Sequence, residues 1–311
     1  MRLPWIVKAT AVALAALVGV FLALEAAFRV AGLWVGAAPR ADADGRVIIL
    51  CVGDSHTRGQ ADPDNYPASL ERLLEGRTGR AYRVINLGIP AQNTTQVRHR
   101  FERYLDYYRP ALVLHWAGIN NFWNGAETDE TGRTLLTRFA DSSRVIRLFR
   151  VARFYHRLED EELRAAAPEA VGRFTPDAHR HVRFGGLEED LYARPGANLS
   201  AERLEKMTRD DLTAMMQMAR ARHIPMYLIT YPIWLGKFLT VNTAIQDVSK
   251  QFGVPFIDSA NARAAAREQG PGDRLFDSSV HPTPWLYWFV AEEAYRVLAA
   301  QGEVAPPEGR R

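Results

Sequence analysis

Residues 9–24 (ATAVALAALVGVFLAL) are apolar without a break, and Pro4-Trp5-Ile6-Val7 extends the stretch across Lys8. A soluble core helix rarely is apolar on every side for so long, whereas a bilayer span needs about 17–25 such residues, reached here if Lys8 snorkels. The pattern predicts an N-terminal transmembrane helix. Residues 25–34 continue it amphipathically, and residues 36–45 (GAAPRADADG) read as a tether. Arg2 and Lys8 precede the run, so the N-terminus is expected in the cytoplasm and the rest of the chain outside it, on the periplasmic side. A cleaved signal peptide is the competing reading. The first small-x-small candidate, Gly36-Ala37-Ala38, lies well past the apolar run, which favours a retained anchor.

The pattern changes at Arg46. Val47-Ile48-Ile49-Leu50-Cys51-Val52 is a continuous apolar run of strand length, as expected for a strand covered on both faces. Helical spacing follows over 66–77, a strand over 82–87, a helix over 94–108 and a strand over 111–116. After an interval the alternation resumes with a helix over 200–222, a strand over 225–230, a helix over 241–252, a short strand over 254–257 and a helix over 284–300. This is the pattern of an α/β domain with a parallel sheet and crossover helices. Residues 124–198 are too many for a connecting loop and are expected to form a helical insertion. There Arg144, Arg147, Arg150, Arg153 and Arg157 recur beside Val145, Leu148, Phe149, Ala152 and Tyr155, giving one helix a basic and an apolar side. Such a helix fits a solvated surface packed by its apolar stripe, a lid over a site, or a patch for anionic lipid or glycan. The expected organisation is an anchor (1–35), a tether (36–45), a folded α/β domain (46–302) that carries the insertion at about 124–198, and a short tail (303–311).

Composition narrows the function classes. The chain has 311 residues, a net charge of +3 and 47% hydrophobic residues, enough for one large core and unlike a disordered or collagenous chain. Its one cysteine, Cys51, cannot form an internal disulfide and falls inside a predicted strand. There is no Cys/His cluster for a zinc site, and neither a metal nor an organic cofactor is implied. Acidic and basic residues are mostly interspersed, so nucleic acid is not an expected partner.

Open parallel sheets place their sites at the carboxyl ends of their strands. Gly53-Asp54-Ser55-His56-Thr57 follows the first strand, Asn86-Leu87-Gly88 ends the second, Gly118-Ile119-Asn120-Asn121 follows the third, and Asp277-Ser278-Ser279-Val280-His281-Pro282 precedes the last helix. A serine hydroxyl becomes a nucleophile when a base takes its proton, and histidine suits that task near neutral pH, so Ser55 and His281 pair naturally. Ester attack creates an oxyanion, for which the amides of Ser55 and Gly88 and the side chain of Asn120 are candidate donors. Asp277 is the nearby carboxylate to orient His281. His56 reads as a structural or substrate-contacting neighbour. Among Trp116, Phe122, Trp123, Trp234, Trp285, Tyr287 and Trp288, most read as core or interface residues, but Phe122 and Trp123 could line an acyl or sugar pocket.

Taken in order, GDSHT, NLGIPAQNT, GINN and SSVHPT resemble the four blocks of the SGNH superfamily of GDSL-type esterases, lipases and acylhydrolases. The resemblance runs from Arg46 to Gly302 outside the insertion. It implies a flavodoxin-like three-layer αβα sandwich with a five-stranded parallel sheet, and a site made of Ser55, Gly88, Asn120 and His281. Two positions depart from the pattern. Asn121 stands where the family has Asp, and the family acid sits three residues before the histidine, where this chain has Ser278. Asp277, Asp273 or an unaided Ser-His dyad are the alternatives, with Asp277 favoured. The expected function is a membrane-tethered serine esterase acting on a small ester or an acylated glycan or lipid. An O-acyltransferase acting on envelope or exported polysaccharide, and a non-catalytic glycan-binding protein, are the rivals.

Overall fold

The computed structural model describes residues 5–35, 45–59, 64–128, 145, 179–184, 187–193, 199–270, 275–277 and 280–304. Contacts group the chain into two units, which are described separately. One comprises Met1–Pro39, Gly132–Thr175 and His179–Asp190; the other comprises Arg40–Thr131, Pro176–Ala178 and Leu191–Arg311.

In the first unit a single helix, α1 (Trp5–Val35), contains the apolar stretch. Its Lys8–Ala27 segment is long and apolar enough to cross a membrane, and Leu14, Leu17 and Val20 are exposed. Glu25 is buried and accepts the Val145 N–H at 3.1 Å. The rest of the arginine-rich helix predicted over 144–157 lies outside the described residues, as does the tether up to residue 44. The described part of the insertion includes strand where helix was expected: β4 (His179–Phe184) and β5 (Leu187–Tyr192) form a two-stranded sheet.

The second unit holds the parallel sheet. Its strands are β1 (Val47–Gly53), β2 (Tyr82–Gly88), β3 (Leu112–Trp116) and β6 (Met226–Leu228), in the order β2-β1-β3-β6. The central strand β1 is buried along nearly its whole length, which explains its unbroken apolar sequence. Gly53 pairs with Gly88 on one side and with Trp116 on the other, so three strand ends finish level on one edge.

The expected fifth strand is reduced to one parallel bridge, Ile229 to Ile257. Ile257 donates its N–H to Leu228 and accepts from Thr230, at 2.9 and 3.0 Å. Pro255, two residues earlier, has no N–H to extend the ladder, and residues 254–256 are only half-buried at the sheet margin. The sheet therefore has four strands.

The helices follow local signals. α3 (Tyr66–Thr78) is capped by Asn65, and α4 (Thr94–Tyr108) by Asn93 in a reciprocal capping box with Gln96. α5 (Ala201–Ala221) starts after Ser200, α6 (Gly236–Phe252) ends at the left-handed Gly253, and α8 (Pro284–Ala300) opens on a proline. Two helices were absent from the sequence reading. α2 (Ser55–Arg58) is a single turn, too short for a periodic signal. α7 (Ser259–Gln269) is alanine-rich, and its Asp258 cap was the available clue.

Candidate active site

The nucleophile candidate is positioned by a close fit between β1, α2 and β3. A side chain at Gly53 would put its Cβ 2.1 Å from the Trp116 carbonyl oxygen and 2.2 Å from Thr57 Oγ1, so only glycine lets the chain turn here. Asp54, fully buried, caps α2: its Oδ1 accepts the His56 N–H at 2.8 Å, and its Oδ2 accepts the Tyr231 hydroxyl at 2.7 Å. Tyr231 in turn accepts the Ile119 N–H at 3.2 Å. Burial, and then the Asp54 charge, push the Tyr231 phenol well above its ordinary value, so it stays a donor. Ser55 is the first residue of α2, and an amide at that place has no helical carbonyl to donate to.

His281 comes from the segment before α8. There Asp277 donates its N–H to the His281 carbonyl at 2.9 Å, and its Oδ1 accepts the His281 N–H at 3.0 Å. The loop closes through Val280, at φ 67°. This clip brings His281 Nε2 to 2.7 Å from Ser55 Oγ, across 226 residues of chain. Asp277 Oδ1 lies 3.9 Å from His281 Nδ1, beyond hydrogen-bond length. Asp273 and Ser278 lie outside the described residues.

Gly88 and Asn120 complete the group. A Cβ on Gly88 would fall 2.3 Å from the Arg58 nitrogen, so this glycine admits α2 against β2. Its N–H donates to Asn86 Oδ1 at 3.0 Å, while Asn86 Nδ2 donates to the Arg58 carbonyl at 3.1 Å. Asn120 begins just past β3 in a 3₁₀ turn (Ile119–Phe122). Its Oδ1 accepts Trp123 Nε1 at 3.0 Å and its Nδ2 donates to the Gln92 carbonyl at 3.1 Å, which leaves Nδ2 a second hydrogen.

The aromatic residues divide by place. Trp116, Tyr231 and Tyr287 are fully buried behind the site. His56, also buried, stacks 4.8 Å from the His281 ring centroid and meets Tyr231 edge-on at 4.7 Å. Phe122 lies under the Lys237 ammonium, 3.4 Å from its ring centroid, and Trp123 orients the Asn120 amide. Trp285 is exposed and donates from Nε1 to the Ala266 carbonyl at 3.1 Å. Neither Lys237 nor the Asp54–Tyr231 bond leaves a signal along the chain; Tyr231 stands just past the strand predicted over 225–230.

The model of the GDSL-like lipase/acylhydrolase family matches residues 51–288. A search of curated proteins finds no match. Solved structures similar to this chain include a lipase/acylhydrolase from Enterococcus faecalis, at 14% identity and a TM-score of 0.49, covering 84% of this chain and 98% of that one. A GDSL-like lipase from Bacteroides thetaiotaomicron is similar at 14% identity and a TM-score of 0.46, over 86% and 94% of the two chains. The psychrotrophic esterase EstA from Pseudoalteromonas sp. is similar at 12% identity and a TM-score of 0.46, over 82% and 97%.

Proposed function

The chain belongs to the GDSL-like lipase/acylhydrolase family and is a serine hydrolase acting on esters; from that premise we propose that it works through an acyl-enzyme on Ser55, in a domain tethered outside the cytoplasmic membrane. The 2.7 Å separation of His281 Nε2 and Ser55 Oγ carries this reading. That is the reach a general base needs. Nε2 takes the hydroxyl proton as Oγ attacks the ester carbonyl, and the imidazolium returns it to the departing alcohol. Water, deprotonated by the same nitrogen, then attacks the acyl carbon, and Ser55 leaves with the proton.

Negative charge gathers on the carbonyl oxygen in both half-reactions, where the Ser55 N–H and the second hydrogen of Asn120 Nδ2 stabilise it. Gly88 becomes a third donor when Asn86 Oδ1 yields its N–H. Asp277 faces the imidazolium at 3.9 Å, a distance suited to charge stabilisation rather than a direct bond. Phe122 and Trp123, beside Asn120, border the acyl or sugar portion of the substrate. The proposed anchor is α1, whose apolar Lys8–Ala27 segment is almost wholly uncovered, and the positive charges of Arg2 and Lys8 before it favour a cytoplasmic N-terminus.

A fluorophosphonate probe and a p-nitrophenyl acetate assay test the chemistry together. The parent protein is expected to label and to hydrolyse. Ser55→Ala is expected to do neither, losing about 10³-fold or more in kcat with an unchanged circular dichroism spectrum. Asn120→Ala is expected to lose about 100-fold. A Ser55→Ala protein as active as its parent removes Ser55 as nucleophile. Adding an oligosaccharide to the assay decides the second half-reaction, since an acetylated sugar product assigns transfer instead of hydrolysis.

A further inference from the structure

Behind Asn120 lies a buried polar circuit with a fixed direction. Asn121, the departure from the family pattern, accepts the Thr94 N–H on Oδ1 at 2.9 Å. Its Nδ2 donates to Thr94 Oγ1 and to Thr208 Oγ1, each at 2.8 Å. Both hydroxyls can only accept from it, because their own hydrogens are engaged elsewhere. Thr208 donates to the Leu204 carbonyl at 2.7 Å, and Thr94 donates to Asp211 Oδ2 at 2.6 Å. Asp211, on α5, also accepts the Thr95 hydroxyl at 2.7 Å, and its Oδ1 pairs with Arg98 Nε at 2.8 Å. Asn121, Asp211, Thr94 and Thr208 are all buried.

Resting on the oxyanion role proposed for Asn120, we propose that Asp211 is a positioning residue for that amide, acting through Thr94 and Asn121, and that it dictates asparagine at position 121. The reason is proton direction. A carboxylate accepts only, so it turns the Thr94 hydroxyl toward itself and leaves that oxygen's lone pair for an N–H donor. An aspartate at 121 would face two oxygens with no hydrogen to give, and a second buried negative charge across one hydroxyl. In this chain the acid stands on α5 and the complementary amide on the turn, with the Thr94 hydroxyl between them. The 3₁₀ turn that Asn121 pins is the one that aims Asn120, while Gln92, which holds Asn120 Nδ2, directly precedes the Asn93 cap of α4. Burial raises the Asp211 carboxyl, against the hydroxyl bonds from Thr94 and Thr95 and the charge of Arg98, which favour its ion.

A charge transposition in the full-length protein tests this coupling. Asp211→Asn, Asn121→Asp and the double variant are assayed for kcat and KM with p-nitrophenyl acetate, below the lowest melting temperature of the set. Each single variant is expected to lose about tenfold or more in kcat with KM within about twofold. The double variant restores one acid and one amide with the circuit reversed: the amide placed at position 211 donates to Thr94, and Thr94 donates to the carboxylate placed at position 121. Its kcat is expected to return to within about threefold of the parent, as coupled rather than independent sites require. A double variant that is unfolded, inactive, or reduced by the product of the single losses overturns the proposal, as does an Asp211→Asn protein with parental kcat. Asn120→Ala, run in parallel, separates the two claims: parental kcat there defeats the oxyanion reading, whereas a loss there without rescue in the double variant defeats the circuit alone.

Discussion

Asp277 stands four positions before His281, one more than the family spacing, and at the residue scale that extra residue changes what the carboxylate does. Asp277 Oδ1 accepts the backbone N–H of His281 and stands 3.9 Å from its ring, so it shapes the loop as well as facing the imidazole. Val280 completes the clip at φ 67°, a conformation that disfavours a β-branched residue and persists because the bonds around it hold it. Asparagine at 277 keeps an oxygen for the backbone bond and loses the charge, whereas alanine loses both. Asp277→Asn is therefore expected to keep the parental melting temperature while kcat falls about tenfold or more through loss of imidazolium stabilisation. Asp277→Ala is expected to lose both kcat and melting temperature. Parental kcat in Asp277→Asn would show that this charge is not used and would redirect the assignment to Asp273 or an unaided Ser-His dyad.

At the scale of the element, β3 carries a titratable group through the centre of the sheet. His115 is fully buried and pairs in register with Val52 and Leu228. Burial lowers its imidazole from 6.5 to about 4, although the Asp54 charge works the other way. The folded state therefore binds its proton less readily than the unfolded chain, so this contribution is complete above pH 6.5, declines as pH falls toward 4, and levels off below that. The loss is on the order of 3 kcal/mol. Urea midpoints at pH 7.5 and pH 4.5 measure it. His115→Leu replaces the ring, whose nitrogens have no hydrogen-bond partner among the described residues, with an apolar side chain, and is expected to show the smaller drop between the two pH values. Equal drops in parent and variant would remove His115 as a source of acid sensitivity.

At the scale of the whole molecule, the proposed tethering outside the cytoplasmic membrane is open to a labelling test, for which the chain supplies its own clean background. Cys51 is its only cysteine, and burial pushes that thiol up to about 12 despite a lowering hydrogen bond from Tyr66, so the native protein is expected to resist maleimide. Gly76 is exposed on α3, and a Cβ there meets no atom within 4 Å. A membrane-impermeant maleimide added to intact cells whose outer barrier is permeabilised is expected to label Gly76→Cys and to leave the parent unlabelled until it is denatured. Labelling of Gly76→Cys only after the cytoplasmic membrane is lysed would place the catalytic unit inside.

What the sequence determined by itself was whatever depends on neighbours along the chain. The unbroken apolarity of Val47 to Val52 marks a two-faced strand, the residue after a strand sits at the sheet edge, and the Asn93-Gln96 and Pro284 signals mark helix starts, so Ser55, Gly88 and Asn120 could be set at one rim before any coordinates. The loss of the fifth strand was partly legible too, in Pro255. Tertiary structure alone decided the matters of distance between remote segments: that His281 reaches Ser55 while Asp277 turns to a backbone amide, that Tyr231 bonds Asp54 across 177 residues, and that Asp211 answers Asn121. Such pairings depend on the direction of single hydrogens between elements brought together by packing, and a hydrogen's direction leaves no periodic trace in the order of residues.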